Sequence, residues 1–271
     1  MIPEIIDRKI KYMKNEEILK VVDLSKSYNL SKLFGNSRSV LQDINFKLYE
    51  NDILGIVGQS GAGKTTLSRL LLALEPVTSG KIYYYKKDIS EFSRAQLLEY
   101  RRNVQMLFQF PKDTFNPSFT ILKSLMEPMR IHKNFCQYNT HQIKEYLELT
   151  ELTSDVLNSY PDQLSGGQIQ RLSLIRILLL KPKLIILDEP TTMLDSVVQK
   201  EIIMLLKRIQ REFSLSYIFI SHDLDLVRFM CDRVAILYNG KIIETGAVGE
   251  IFSNPTNSYT KQLINDFYSF A

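Results

Sequence analysis

The chemistry of this chain begins at Gly58-Gln59-Ser60-Gly61-Ala62-Gly63-Lys64-Thr65, which meets the spacing G-x-x-x-x-G-K-[ST] at every fixed position and continues into Thr66. Glycines let such a loop turn so that successive backbone N–H groups converge on a phosphate. The helix start that follows adds a partial positive charge. Lys64 has the reach for β- and γ-phosphates, and the Thr65 hydroxyl suits Mg²⁺. The plain alternative is a chance glycine-rich turn. The flanks argue against it, because Asp52-Ile53-Leu54-Gly55-Ile56-Val57 reads as a buried strand. On the other side, Leu67, Leu70, Leu71 and Leu74 fall at i, i+3, i+4 and i+7, one face of a helix that stops before Pro76. The motif implies a bound nucleoside triphosphate.

Three more polar groups stand where apolar runs end. Gln109 follows Val104–Phe108, Asp188-Glu189 follows Leu184–Leu187, and His222 follows Tyr217–Ser221. In a parallel α/β sheet, ligands sit outside the carboxyl ends of the strands, so these groups are expected to meet around one γ-phosphate. Asp188 then belongs with Mg²⁺, and Glu189 is the carboxylate that polarises an attacking water. Each has a plainer reading: an Asp-Glu pair can cap a helix or line a solvated turn, and a lone histidine or glutamine is commonly structural. His132 and His141 lie in polar helical stretches and are read as structural. Leu164-Ser165-Gly166-Gly167-Gln168 opens a helix over Ile169–Leu180 and offers a second anion-binding helix start, or simply a capping turn.

The elements that must position these residues follow from patterning. Ile18–Tyr28 alternates loosely as a strand. A polar loop with Gly35 and Asn36 separates it from a short strand around Ile44–Leu48, and Gly80–Tyr85 reads as another. These early strands make an antiparallel sheet beside the nucleotide core. Ser93–Arg102 is helical, Phe110–Ser118 is a loop, and Ile121–Leu157 is helical, with Ile143, Tyr146, Leu147 and Thr150 on one face. Residues 112–168 are therefore expected as a helical subdomain inserted in a core spanning 18–250. Leu184–Leu187 and Tyr217–Ser221 are apolar throughout, the mark of strands buried on both faces, joined by an amphipathic helix over Ser196–Phe213. That crossover makes them parallel. Asn239-Gly240 marks a hairpin turn, and residues 251–271 form a short helical tail. The fold class is α/β.

Composition bounds the rest. A chain of 271 residues with 45% hydrophobic content buries a sizeable core. A net charge of +4 with no dense Lys/Arg block makes no demand for nucleic acid. Met1–Leu19 is charged throughout and lacks a signal-peptide core. Leu172–Leu187 is broken by Arg176, Lys181, Pro182 and Lys183, which excludes a membrane span there. Cys136 and Cys231 are isolated, which excludes a disulfide framework and fits a reduced, cytosolic compartment.

Taken in order, Gly58–Thr65, Gln109, Leu164–Gln168, Asp188-Glu189, Leu194-Asp195 and His222 closely resemble the nucleotide-binding subunit of an ABC transporter, over about Leu19–Gly249. The resemblance implies an ATP- and Mg²⁺-dependent ATPase on the cytoplasmic face of a membrane. It further implies two transmembrane permease partners, an extracytoplasmic substrate-binding protein and no nucleic acid. By the same resemblance, Tyr28 stacks on adenine and Gln109 links Mg²⁺ and water to the membrane partner. Ser165 and Gly167 contact the ATP of a second subunit packed head to tail, and Asp195 lies on the loop crossing between subunits. The segment after Gln109 receives a coupling helix.

The long polar loop after Tyr28, Phe115-Asn116-Pro117, Glu127-Pro128 and Asn254-Pro255 with Ser258-Tyr259-Thr260 resemble the peptide/nickel importer branch, which pairs two different ATPase chains. A cysteine-bearing C-terminal extension usual in peptide importers does not follow, which shifts the expected cargo toward nickel or a metallophore. Ile175-Arg176-Ile177-Leu178 and Met193 are bulkier than that family's pattern, and Phe110 replaces a usual acidic residue; both bear on packing near the subunit boundary. Soluble ABC ATPases of DNA repair carry a long coiled coil that the interval from Gly63 to Leu164 cannot hold. Those of translation carry two such domains. A degenerate regulatory subunit would lack Glu189 and His222, and an exporter would lack the peptide/nickel features.

Overall fold

A computed structural model describes residues 16–29, 37–132 and 140–269. Gly35, Asn36 and Cys136 lie outside these residues. Among the described residues, ten strands form two sheets. The larger is built on β3 (Ile53–Val57), β6 (Val104–Leu107), β7 (Leu184–Asp188) and β8 (Ser216–Ser221), completed by β9 (Arg233–Tyr238) and β10 (Lys241–Ala247). Its order is β10-β9-β3-β8-β7-β6. Every neighbouring pair is parallel except β9 with β10. The smaller sheet is antiparallel, in the order β2-β1-β4-β5, from β1 (Glu17–Asn29), β2 (Ser37–Tyr49), β4 (Ser79–Tyr84) and β5 (Lys87–Asp88).

The parallel strands are buried on both faces, and alternate residues serve two cores. Leu54, Ile56, Ile186, Ile218 and Ile220 point to the side of the antiparallel sheet, where Leu24, Leu41, Ile44 and Ile82 meet them. That interlayer also holds Leu67, Leu70 and Leu71 of α1 (Lys64–Leu71) and Tyr100 of α2 (Arg94–Asn103). Ile53, Val57, Ile185, Leu187, Tyr217 and Phe219 face the other way. The helices on that side are α3 (Ile121–Ile131), α4 (Thr140–Leu149), α5 (Gly166–Leu178), α6 (Ser196–Glu212), α7 (Leu224–Met230), α8 (Val248–Ser253) and α9 (Ser258–Ser269).

Several sequence expectations need correction. β2 starts seven residues before Ile44, because its opening Ser37, Arg38 and Ser39 are polar and exposed and carry no apolar signal. The first helix ends at Leu71; Ala73 turns into the left-handed region (φ 51°), so Leu74 leaves the apolar face and is 54% exposed. β6 stops at Leu107, and Phe108 is exposed. Within the stretch read as a loop, Pro111–Thr114 winds one 3₁₀ turn. The tail carries the expected helix, Ser258–Ser269, preceded by a second one, Val248–Ser253, that straddles its start. The hairpin turn is as expected: Asn239 and Gly240 both take positive φ, the requirement of a tight two-residue turn.

Candidate active site

The glycine-rich loop is shaped by what presses on it. A Cβ on Gly58 would meet the Leu237 carbonyl at 2.4 Å, so only glycine lets the loop lie against β9. Gly63 caps α1 at φ 107°, a conformation that L side chains rarely adopt. Lys64 then folds back, its Nζ donating to Gly58 O at 2.7 Å and Gln59 O at 3.1 Å. Burial pushes the Lys64 ammonium pKa down, against the pull of Glu189 and Asp188. A desolvated cation held only by carbonyls and a distant carboxylate is poised for a stronger anion.

Opposite it stands Glu189, reached through a left-handed turn (φ 46°) directly after β7, with its N–H donating to Ile220 O. Gln109 Nε2 donates to Glu189 Oε2 at 3.1 Å, and Thr192 Oγ1 donates to the same oxygen at 3.2 Å. His222 Nδ1 lies 3.3 Å, and Lys64 Nζ 3.9 Å, from Oε1. Four groups from separate strand ends and loops thus converge on one carboxylate. Asp188, beside it, is raised to a pKa of about 6 by burial first and by the Glu189 charge second, opposed by Lys64 and Arg69. Gln59, Ser60, Gly61, Gly63, Lys64, Thr65, Thr66, Gln109, Asp188, Glu189 and His222 all line one cavity of about 510 Å³. Sequence patterning missed two neighbours, Thr192 and the cavity-lining Val40. Neither carries a motif, and only the fold brings them in.

Among the described residues no cluster of three His, Cys, Asp or Glu side chains could hold a metal alone. A divalent cation here would draw on the Thr65 hydroxyl, the Gln109 amide, Asp188 and phosphate oxygens, a hard-oxygen set of the kind Mg²⁺ takes with a nucleotide. The high pKa of Asp188 fits that arrangement, since an adjoining cation relieves the repulsion from Glu189.

The ABC transporter family model matches residues 41–192, more than half of the chain. The chain belongs to the ABC transporter family. Among its relatives, the oligopeptide transport ATP-binding protein OppF of Lactococcus lactis is 36% identical over 254 residues, covering 92% of this chain and 80% of that one. The oligopeptide transport ATP-binding protein AppF of Bacillus subtilis is 38% identical over 257 residues, covering 92% and 78%. Among solved structures, the dimeric bacterial ABC transporter cassette MJ0796 superposes with a TM-score of 0.75 at 28% identity, covering 85% of this chain and 99% of that one. CbiO1 from Clostridium perfringens, part of an ABC transporter complex, gives 0.74 at 27%, covering 88% and 92%. ATP is therefore the nucleotide that the ABC fold implies for the cavity.

The remaining candidates of this ABC chain lie around that cavity or apart from it. Tyr28 is the penultimate residue of β1, with its hydroxyl bonded to Glu75 after α1. Ser165 caps α5 in a reciprocal box, its Oγ accepting from Gln168 N while Gln168 Oε1 accepts from Ser165 N. Gly166 and Gly167 open that helix, and a Cβ on Gly167 would meet Val198 at 3.0 Å. Leu164 and Gly166 line a second cavity of about 340 Å³ that Gln109 shares with the first. Asp195 caps α6, accepting from Val197 N and Val198 N at 3.1 Å each. Ser165, Gly167, Gln168 and Asp195 do not line the nucleotide cavity of their own chain.

Proposed function

We propose that this chain is the ATP-hydrolysing subunit of an importer, peripheral to the cytoplasmic face of a membrane, and that it moves oligopeptides. The carrying observation is the Glu189 carboxylate, gathered by Gln109, Thr192, His222 and Lys64 at the mouth of the phosphate loop. In this reading the loop N–H groups from Gln59 to Thr66 and the Lys64 ammonium bind the phosphates. Thr65, Asp188 and Gln109 hold Mg²⁺, which when bound neutralises phosphate charge. Glu189 orients a water and takes its proton as the water oxygen attacks the γ-phosphorus and the bond to ADP breaks. His222 keeps the Glu189 carboxylate and the phosphate in register. Tyr28 stacks on adenine, while Ser165, Gly166, Gly167 and Gln168 serve the ATP of a second, different subunit, with Asp195 at the crossing.

The domain reading is an ATPase domain over 18–250, with residues 112–168 as its inserted helical part and 251–271 as a tail. Two permeases and an extracytoplasmic binding protein complete the assembly. Peptide is favoured over nickel or a metallophore because the relatives above are named for oligopeptide transport. The test is Glu189→Gln in the assembled transporter. Hydrolysis falls by roughly 10²–10⁴-fold while ATP affinity holds; near wild-type turnover would rule out Glu189 as the base. In proteoliposomes with the cognate permeases and binding protein, ATP-driven uptake of labelled oligopeptide, but not of Ni²⁺, is the expected result.

A further inference from the structure

Tyr28 does not stand free at the end of β1. Its hydroxyl donates to Glu75 Oε2 at 2.5 Å, across 47 residues of sequence. Lys26 Nζ lies 3.4 Å from the same oxygen, and Arg69 Nη1 of α1 lies 3.6 Å from Oε1. Lys26 Nζ is itself anchored on the Pro76 carbonyl at 2.7 Å, and it stands 4.8 Å over the centroid of the Tyr28 ring. The Glu75 bond is the main cause of a raised Tyr28 pKa, while Thr66 of the phosphate-binding helix acts the other way. The ring is thus fixed at its hydroxyl end and covered on one face by a cation.

From this arrangement we infer that Glu75 is a positioning residue for the adenine site: it sets the plane of the Tyr28 ring, Lys26 closes one face, and the base stacks on the other. The inference rests on the reading of Tyr28 as the adenine-stacking residue and changes one of its consequences. A phenylalanine at position 28 keeps the ring face yet loses the anchor, so the hydroxyl is part of the site. Lys26 and Arg69 in turn hold the Glu75 carboxylate in place.

The experiment measures binding of ATP and of inorganic triphosphate to the full chain by calorimetry, and KM against kcat in the assembled transporter. Glu75→Ala and Tyr28→Phe each weaken ATP binding by about 3- to 10-fold, the range of one lost hydrogen bond. The double variant is no weaker than either single one, because both remove the same contact. Glu75→Gln retains an acceptor for the hydroxyl and stays within about 2-fold of wild type. Triphosphate binding is unchanged throughout, which shows a folded phosphate site, and KM rises while kcat holds. Additive losses, a silent Glu75→Ala, a Glu75→Gln as weak as Glu75→Ala, or a parallel loss of triphosphate binding would each overturn the positioning role. Tyr28→Ala separates the two levels. If it leaves ATP affinity unchanged, the stacking reading itself falls; if it weakens ATP while Glu75→Ala is silent, only the role of Glu75 falls.

Discussion

Asp188 and Glu189 are adjacent carboxylates with different burdens, and the difference has a pH signature. An acid whose folded pKa is raised favours the folded state while it stays protonated. Asp188, at about 6 in the fold, remains protonated between pH 4 and 6 while its unfolded counterpart ionises, so its contribution falls as pH rises through that window. Above pH 6 the folded chain carries a penalty of about 2–3 kcal/mol from this group. Asp188→Asn is therefore expected to stabilise the nucleotide-free chain at pH 7 and to flatten its stability between pH 4 and 6, as read by urea unfolding. Unchanged curves would show that burial of Asp188 costs nothing. The strand-end rule brings Gln109, Asp188, Glu189 and His222 to one cavity because a parallel sheet directs every strand to the same rim. It could not find Thr192, a hydroxyl in a turn whose value comes only from the left-handed step at Glu189.

Among the elements, those read well were the ones whose pattern reflects burial on a single face or on both. The fully buried β3, β7 and β8 announce themselves as apolar runs, and the hairpin after β9 as Asn239-Gly240. The start of β2 is hidden because Ser37, Arg38 and Ser39, which pair with Asn29, Tyr28 and Ser27 of β1, are polar and exposed. Leu74 misled because spacing continued after the helix had ended. The helix read from Ser196 does begin there, with Asp195 as its cap. Asp195 accepts two backbone N–H groups of α6, so Asp195→Ala is expected to cost about 1 kcal/mol in unfolding of the isolated chain. A loss seen only in the assembled transporter would assign Asp195 to the interface alone.

At the scale of the molecule, two glycine-rich helix starts, at Gly63 and at Ser165, offer backbone N–H groups to an anion, yet of the two only Gly63 borders the chain's own nucleotide cavity. The start at Ser165 is spare unless a neighbour's ATP uses it. Ser165→Arg is expected to leave ATP binding by the isolated chain intact and to abolish turnover in the assembly, because bulk and charge enter the contact. Lys64→Ala is expected to weaken nucleotide binding in the isolated chain itself. An isolated chain that turned over at the rate of the assembly, with Ser165→Arg indifferent, would overturn the shared site. The expectation of nickel or a metallophore as cargo has no support among relatives named for oligopeptide transport.

A backbone hydrogen bond joins the two sheets close to Val40. The amide of Gln42 in β2 donates to the Gly240 carbonyl at 2.8 Å, and a Cβ on Gly240 would press into the Val40 carbonyl at 2.3 Å. Val40 is also a wall of the nucleotide cavity. The Gln42 proton is therefore a built-in clock for parting of the layers, since solvent reaches it only when the hairpin lifts from β2. Its deuterium uptake is expected to slow when Mg-ATP bridges Val40 and the phosphate loop, and to quicken in Gly240→Ala. Uptake insensitive to both would mean that the layers part elsewhere.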